Sequence, residues 1–177
     1  MALLDIIEAP HPLLKQNARR VRDDEFGPEL DRLLNDMAET MYAAPGVGLA
    51  APQVADSRRI LVADPGFEGE DGELKKGIEL VHMVNPEITD RSSDLIKWEE
   101  SCLSVPEFFV DVKRPMRVSV KWQDAQGAPH ERAFEGFAAV VIQHEIDHLN
   151  GVIILDKSSR LKRSRYLKKQ IKARKVR

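Results

Sequence analysis

Phe134 to Leu149, FEGFAAVVIQHEIDHL, is the stretch on which the reading of this chain turns. From Phe137 to Ile142 it is unbroken apolar residue, its polar residues gather in the last two turns, and Asn150-Gly151 supply a natural stop. A helix that is apolar nearly all round is a buried one. Gly136, about 1 kcal/mol worse than alanine inside a helix, places the firm start near Phe137. Near its end His144, Glu145 and His148 form the pattern H-E-x-x-H. Residues four apart stand one turn above each other, so two imidazoles can converge on one ion with Glu145 beside them. A glutamate so placed can take a proton from metal-bound water. The same pattern also occurs where histidines are merely hydrogen-bonded or solvated, and the apolar setting here favours the metal.

Working outward, Gly27-Pro28 opens an earlier helix. Its Leu30, Leu33, Leu34, Met37 and Met41 form one stripe that should pack on a sheet. Ala43 to Pro52, with Pro45, Gly46 and Gly48, reads as a shaped loop and a candidate site loop. Strand-like runs follow at 59–63, 80–84, 94–98 and 117–122, the last with alternating Val118, Val120 and Trp122. Asp64 to Gly77 reads as an exposed excursion and Asp124 to Gly127 as a hairpin turn. Val152 to Leu155 suggests a short strand. These elements predict an α+β fold: antiparallel or mixed β-sheets packed around a central buried helix carrying HExxH, with a C-terminal helix. The 177 residues fit a single catalytic domain (1–177) whose residues 157–177 form a basic helical tail.

Two histidines do not complete a catalytic site, which commonly has three protein ligands and one position for water. The remaining histidines (His11, His82, His130), an acid, or Cys102 can serve. Cys102 is favoured, because its sulfur is a strong ligand for zinc or ferrous iron and it directly follows a predicted strand. A lone cysteine is otherwise most often a small buried hydrophobe. Cys with two His suits Zn(II), Fe(II), Ni(II) or Co(II), and spacing does not separate them.

Three stretches now carry a resemblance: Gly46-Val47-Gly48-Leu49-Ala50-Ala51-Pro52-Gln53, Glu100-Ser101-Cys102-Leu103-Ser104, and Gln143-His144-Glu145-Ile146-Asp147-His148. In order and approximate spacing they resemble the three motifs of the peptide deformylases, and the likeness extends over most of the chain. It implies that Cys102, His144 and His148 bind one divalent metal, Fe(II) first among the candidates. It implies that Glu145 is the general base for metal-bound water attacking a formyl carbon, and that Gln53 and the backbone N–H of Leu103 hold the developing oxyanion. The implied function is removal of the N-formyl group from the N-terminal methionine of newly made proteins, releasing formate. Ser101 departs from the glycine usual before the cysteine; were positive φ required there, a serine would be strained. For the methionine side chain, Val47, Trp98, Phe137, Val140 and Val141 lie in or beside the motifs, with Gly48 open for pairing with an extended peptide, although each apolar residue is as readily ordinary core.

Charge is divided unevenly. Residues 157–177 carry 11 Lys/Arg and no Asp/Glu, which leaves 16 basic against 29 acidic residues, a charge of −13, for residues 1–156. The tail is expected either to bind ribosomal RNA, as the resemblance implies for an enzyme acting on nascent chains, or simply to be a solvated face. One cysteine excludes an intrachain disulfide, no basic-then-apolar leader opens the chain, and no apolar run is long enough for a membrane span. A cytoplasmic location in a bacterium is expected, an organelle less so. Two rivals remain. An HExxH metallopeptidase typically draws its third ligand from a histidine or an acid downstream, where Asp156 is the single acid and no histidine follows His148. A non-enzymatic RNA-binding protein with a structural metal would need four side-chain ligands.

Overall fold

The computed structural model describes residues 2–68, 74–75 and 79–174. Its centre is a five-stranded sheet in the order β1-β2-β5-β8-β9, formed by Gly48–Ala50 (β1), Ile60–Ala63 (β2), Val81–Arg91 (β5), Arg117–Gln123 (β8) and Pro129–Glu135 (β9). All four pairings are antiparallel. Two hairpins stand apart: Phe67–Glu68 (β3) with Leu74–Lys75 (β4), and Leu95–Cys102 (β6) with Val105–Pro115 (β7). The helices are Pro28–Ala43 (α1), Gly136–Leu149 (α2) and Arg160–Arg174 (α3).

The sheet lies between α1 and α2, and the alternation of β2 shows why. Ile60 and Val62 point into a core with Leu30, Leu34, Met37 and Met41 of α1. Leu61 and Ala63 point the other way, into a core with Val141, Ile142, Ile146 and Leu149 of α2. A strand buried on both faces needs no polar alternation, which is why β2 is a plain apolar run. A third core joins Cys102, Val105 and Phe108 of the β6–β7 hairpin to Tyr166 of α3.

Several expectations are corrected. The HExxH helix does not begin before Gly136: Phe134 and Glu135 close β9, with Phe134 paired to Val118 and its ring buried in the α2 core. Gly136 has φ +56, a left-handed conformation that ends the strand and turns the chain into the helix. The loop expected at 43–52 contains β1 and leads into a 3-10 turn at Ala51–Val54. The strand expected at 152–155 is a 3-10 turn, Ile154–Lys157. Asp64, where an exposed excursion was expected to begin, is fully buried and accepts a hydrogen bond from Tyr42 Oη at 2.6 Å. Residues 69–73, 76 and 77 of that excursion lie outside the described residues. Strands β7 and β9 were not anticipated, and β5 runs well beyond residue 84.

Candidate metal centre and substrate cleft

Two elements bring the expected ligands together. α2 presents His144 and His148 one turn apart, and β6 ends on Cys102 directly before the turn into β7. The ligand atoms of these three residues lie within 4.8 Å of one another, and Cys102 Sγ is 3.2 Å from His148 Nε2. All three side chains are buried. One soft sulfur and two imidazole nitrogens converging in a buried place are the donor set of a transition-metal or zinc site with room for further ligands.

The orientation of His144 has an identifiable cause. Its Nδ1 lies 2.8 Å from Glu100 Oε2, leaving Nε2 as the nitrogen presented to the site. Glu100 is itself gripped by Arg114, whose Nε and Nη2 donate to its two oxygens while Nη1 donates to Asp147 Oδ2 at 2.9 Å. Asp147 is one of the unspecified positions of HExxH, so Arg114 ties the β6–β7 hairpin to the histidine-bearing helix. Burial pushes the Glu100 carboxyl up, but hydrogen bonds from Arg114 and His144 outweigh it and hold it at about 2. Burial likewise works against charge on His144, yet the hydrogen bonds to Cys102 and Glu100 prevail and raise its pKa. His148 is pushed down by burial and by neighbouring His144.

Glu145 is buried beside this cluster, and its Oε2 has no hydrogen-bond partner among the described residues. Burial raises its carboxyl to about 7, which poises it to take up and release a proton near neutrality. Gly48 makes room for it: a Cβ at that position would stand 2.4 Å from Glu145 Oε1. Gln53, almost wholly buried, accepts the Ala50 N–H through Oε1 at 2.8 Å. That bond turns its Nε2 toward Ser104 Oγ (3.2 Å) and Cys102 Sγ (3.6 Å), so the amide donor faces the cluster. Leu103, in the turn after Cys102, packs its side chain on the α1 core.

A cleft of about 480 Å³ opens over these groups. Val47, Gly48, Gln53, Trp98, Cys102, Leu103, Phe137, Val140, Val141, His144 and Glu145 all line it, so every substrate-contact candidate from the sequence is placed there, whereas His148 is not among the lining residues. Trp98 and Phe137 meet at 5.0 Å between ring centroids and close one wall. Of the other histidines, His11 caps the turn at Pro12–Lys15, His82 pairs with Val62 across the sheet, and His130 stacks on Trp122; none joins the cluster. Ser101 also lines the cleft, and its φ is not positive, so serine fits there without left-handed strain. Sequence reasoning missed Glu100 and Arg114 as a pair, and Phe109 as a lining residue. An acid two residues before the cysteine was the available signal for Glu100, but its guanidinium partner comes from an unanticipated strand.

The family model for polypeptide deformylase matches residues 3–164. A peptide deformylase from Zymomonas mobilis is 45% identical over 177 residues, covering 100% of this chain and 98% of the relative. One from Phenylobacterium zucineum is 46% identical over 169 residues, covering 96% and 95%. Among solved structures, the peptide deformylase of Ehrlichia chaffeensis superposes with a TM-score of 0.88 at 35% identity, covering 99% of this chain and 98% of that one. A Met-Ala-Ser-bound class I type b peptide deformylase from Acinetobacter baumannii superposes with a TM-score of 0.81 at 36% identity, covering 89% and 99%. No helix among the described residues is long and apolar enough to cross a membrane. A sequence match over nearly the whole chain, and structural similarity to match, make this chain a member of the peptide deformylase family, a metal-dependent family of enzymes.

Proposed function

We propose that the chain, acting as one catalytic domain, hydrolyses the formyl C–N bond of N-terminal formyl-methionine on newly synthesised proteins, giving formate and a free amine. The observation that carries this reading is the convergence of Cys102, His144 and His148 within 4.8 Å, beside the buried Glu145 and at the floor of an apolar-walled cleft. In this reading those three residues hold one divalent ion, Fe(II) by family resemblance, with Zn(II), Ni(II) and Co(II) compatible with the same donors. When bound, the ion lowers the pKa of water and polarises the formyl carbonyl.

The chain's own groups do the rest. Glu145, buried beside the three ligands with an oxygen that no described residue engages, takes the proton from water and returns it to the departing amine. Gln53 Nε2, aimed by its bond to the Ala50 N–H, and the Leu103 N–H donate to the formyl oxygen as it gains charge. Because Gln53 is held in advance, its reorientation adds nothing to the barrier. Val47, Trp98, Phe137, Val140 and Val141 enclose the methionine side chain, and Gly48 leaves the backbone of β1 open to the peptide. The Acinetobacter baumannii relative, solved with Met-Ala-Ser bound, supports a methionine peptide as the occupant. The basic α3 is the proposed contact with ribosomal RNA, and the bacterial cytoplasm, where formylated chains are made, the proposed location.

Formate release from a formyl-methionyl peptide by anaerobically purified, iron- or nickel-loaded protein tests the proposal, beside an acetylated peptide and an internal peptide-bond substrate. Release from the formyl peptide alone is expected. Internal cleavage would replace the reading with a peptidase.

A further inference from the structure

Between Val105 and Val110 the backbone at the cleft lacks ladder partners. In the β6–β7 hairpin Cys102 pairs with Val105 and Glu100 with Val110, so Ser101 alone faces the four residues 106–109 and the ladder lapses between them. Glu107 sits at φ +58, a left-handed conformation that a side-chain-bearing residue holds only when its surroundings impose it. Yet Pro106, Glu107 and Phe109 all line the cleft, and Phe109 is 53% exposed.

What braces this lip is α3. Lys162 Nζ donates to the Phe109 carbonyl and lies 4.9 Å from the centre of the Phe108 ring. Tyr166, buried, meets that ring edge-on at 5.3 Å. Lys169 pairs with Glu107 at 2.8 Å. Positions 162, 166 and 169 follow at spacings of four and three, so one face of the helix grips three consecutive residues, 107 to 109. A charge-assisted bond to a backbone carbonyl and a buried ring contact fix backbone as well as side chain; the exposed Lys169–Glu107 pair adds little by itself.

We propose that α3 is a brace that sets the position of the 106–109 lip and thereby the affinity of the cleft for the peptide, with Lys162 and Tyr166 as positioning residues. This rests on the reading of the cleft as a formyl-peptide site. The lip supplies neither Glu145 nor Gln53 nor any expected metal ligand, so loosening it should act on KM and spare kcat. It also makes α3 more than a carrier of positive charge: its inner face steadies the cleft while its outer face stays exposed.

The test uses the full chain, nickel-loaded, as wild type and as Lys162→Met, Tyr166→Ala and Tyr166→Phe, with metal content, kcat and KM on formyl-Met-Ala-Ser, and hydrogen exchange at amides 107–109. Lys162 is exposed, so its substitution leaves folding intact even if Tyr166→Ala loosens the third core. Lys162→Met and Tyr166→Ala are expected to raise KM by roughly fivefold with kcat within about twofold and metal content unchanged, and to speed exchange at 107–109 by at least about tenfold. Tyr166→Phe, which keeps the ring, should behave as wild type. Exchange unchanged in both Lys162→Met and Tyr166→Ala would overturn the brace, and faster exchange with unchanged KM would overturn its link to affinity. A wild-type protein inert toward the peptide would instead overturn the proposed function, while exchange would still judge the brace.

Discussion

At the scale of single residues, the contact between Gly48 and Glu145 is the most exacting in the cleft. A Cβ at Gly48 would fall 2.4 Å from Oε1 and 2.8 Å from Cδ of Glu145, closer than real Cβ contacts come, so the carboxylate would have to move. Gly48→Ala is therefore expected to lower kcat by about a hundredfold while metal content is unchanged, because a displacement of roughly 1 Å in the group proposed to move the proton costs that order. Metal analysis beside steady-state kinetics checks it; wild-type kcat would show the carboxylate position to be unimportant. Glu145 also has a signature in the metal-free protein. Its folded carboxyl, raised from 4.5 to about 7, keeps a proton that the unfolded chain has released, so stability declines as pH rises through that window and is level above it. Replacing it by glutamine removes this term. In chelator, Glu145→Gln should gain on the wild type by up to about 3 kcal/mol between pH 4.5 and 7, at roughly 1.4 kcal/mol per unit. Urea unfolding at pH 5 and pH 8 measures this, and a pH-independent difference would contradict the buried, unpartnered carboxyl. Cys102 and the histidines were legible in the sequence because few residue types can do their chemistry. The need for glycine at position 48 was not, because its neighbour is 97 positions along the chain.

Elements set those residues, and at this scale Arg114 is the join. It reaches from β7 to Glu100 on β6 and Asp147 on α2, and Glu100 in turn meets His144. Glu100→Gln keeps the shape but weakens acceptance from His144 Nδ1, and is expected to lower metal affinity by about 10–100-fold, the range for partners of a metal-bound histidine. Competition against a chelating dye reads this without reference to turnover, and unaltered affinity would leave Glu100 a purely architectural residue. Arg114→Met leaves the buried Glu100 carboxylate without its guanidinium, while Asp147 keeps Lys157 at 3.3 Å, and should cost about 3–5 kcal/mol of stability. None of this network could be read along the chain, since it assembles from positions 100, 114, 144 and 147. The same limit explains why the helical pattern in the sequence extends back to Phe134, although its firm start near Phe137 stands one residue from the observed one. β9 is an edge strand with a single buried residue, Phe134, so it lacks the alternation that reveals a strand, and Phe134 and Glu135 read as helix until Gly136 is seen to turn the backbone. α1 and β2 were legible because each buries an unbroken apolar face.

Over the whole molecule the charge falls into two unequal parts, −13 before residue 157 and 11 cations with no acid after it. Folding does not cancel this division. α3 turns Lys162, Tyr166 and Lys169 inward to the lip, and Arg163 pairs with Asp156, but Arg165, Lys168 and Lys172 are exposed. The tail helix was foreseen from composition, whereas its inner face was not, because Tyr166 is a lone aromatic in a basic run and its partner Phe108 lies on a strand that sequence patterning missed. An exposed cationic face on a body of opposite net charge favours a polyanion over an acidic protein surface of similar size, since each neutralised phosphate releases a condensed counterion. Binding to a ribosomal RNA fragment should therefore weaken with salt, the slope of log K against log salt deepening by roughly 0.7–0.9 per phosphate engaged. Arg165→Glu, Lys168→Glu and Lys172→Glu together should flatten that slope and lower affinity while formate release from a short formyl peptide stays at the wild-type rate, because none of the three touches the lip. Filter binding at several salt concentrations decides it. Affinity that ignores both salt and the triple substitution would leave the outer face of α3 a solvated surface, and the brace on the cleft as the helix's sole task.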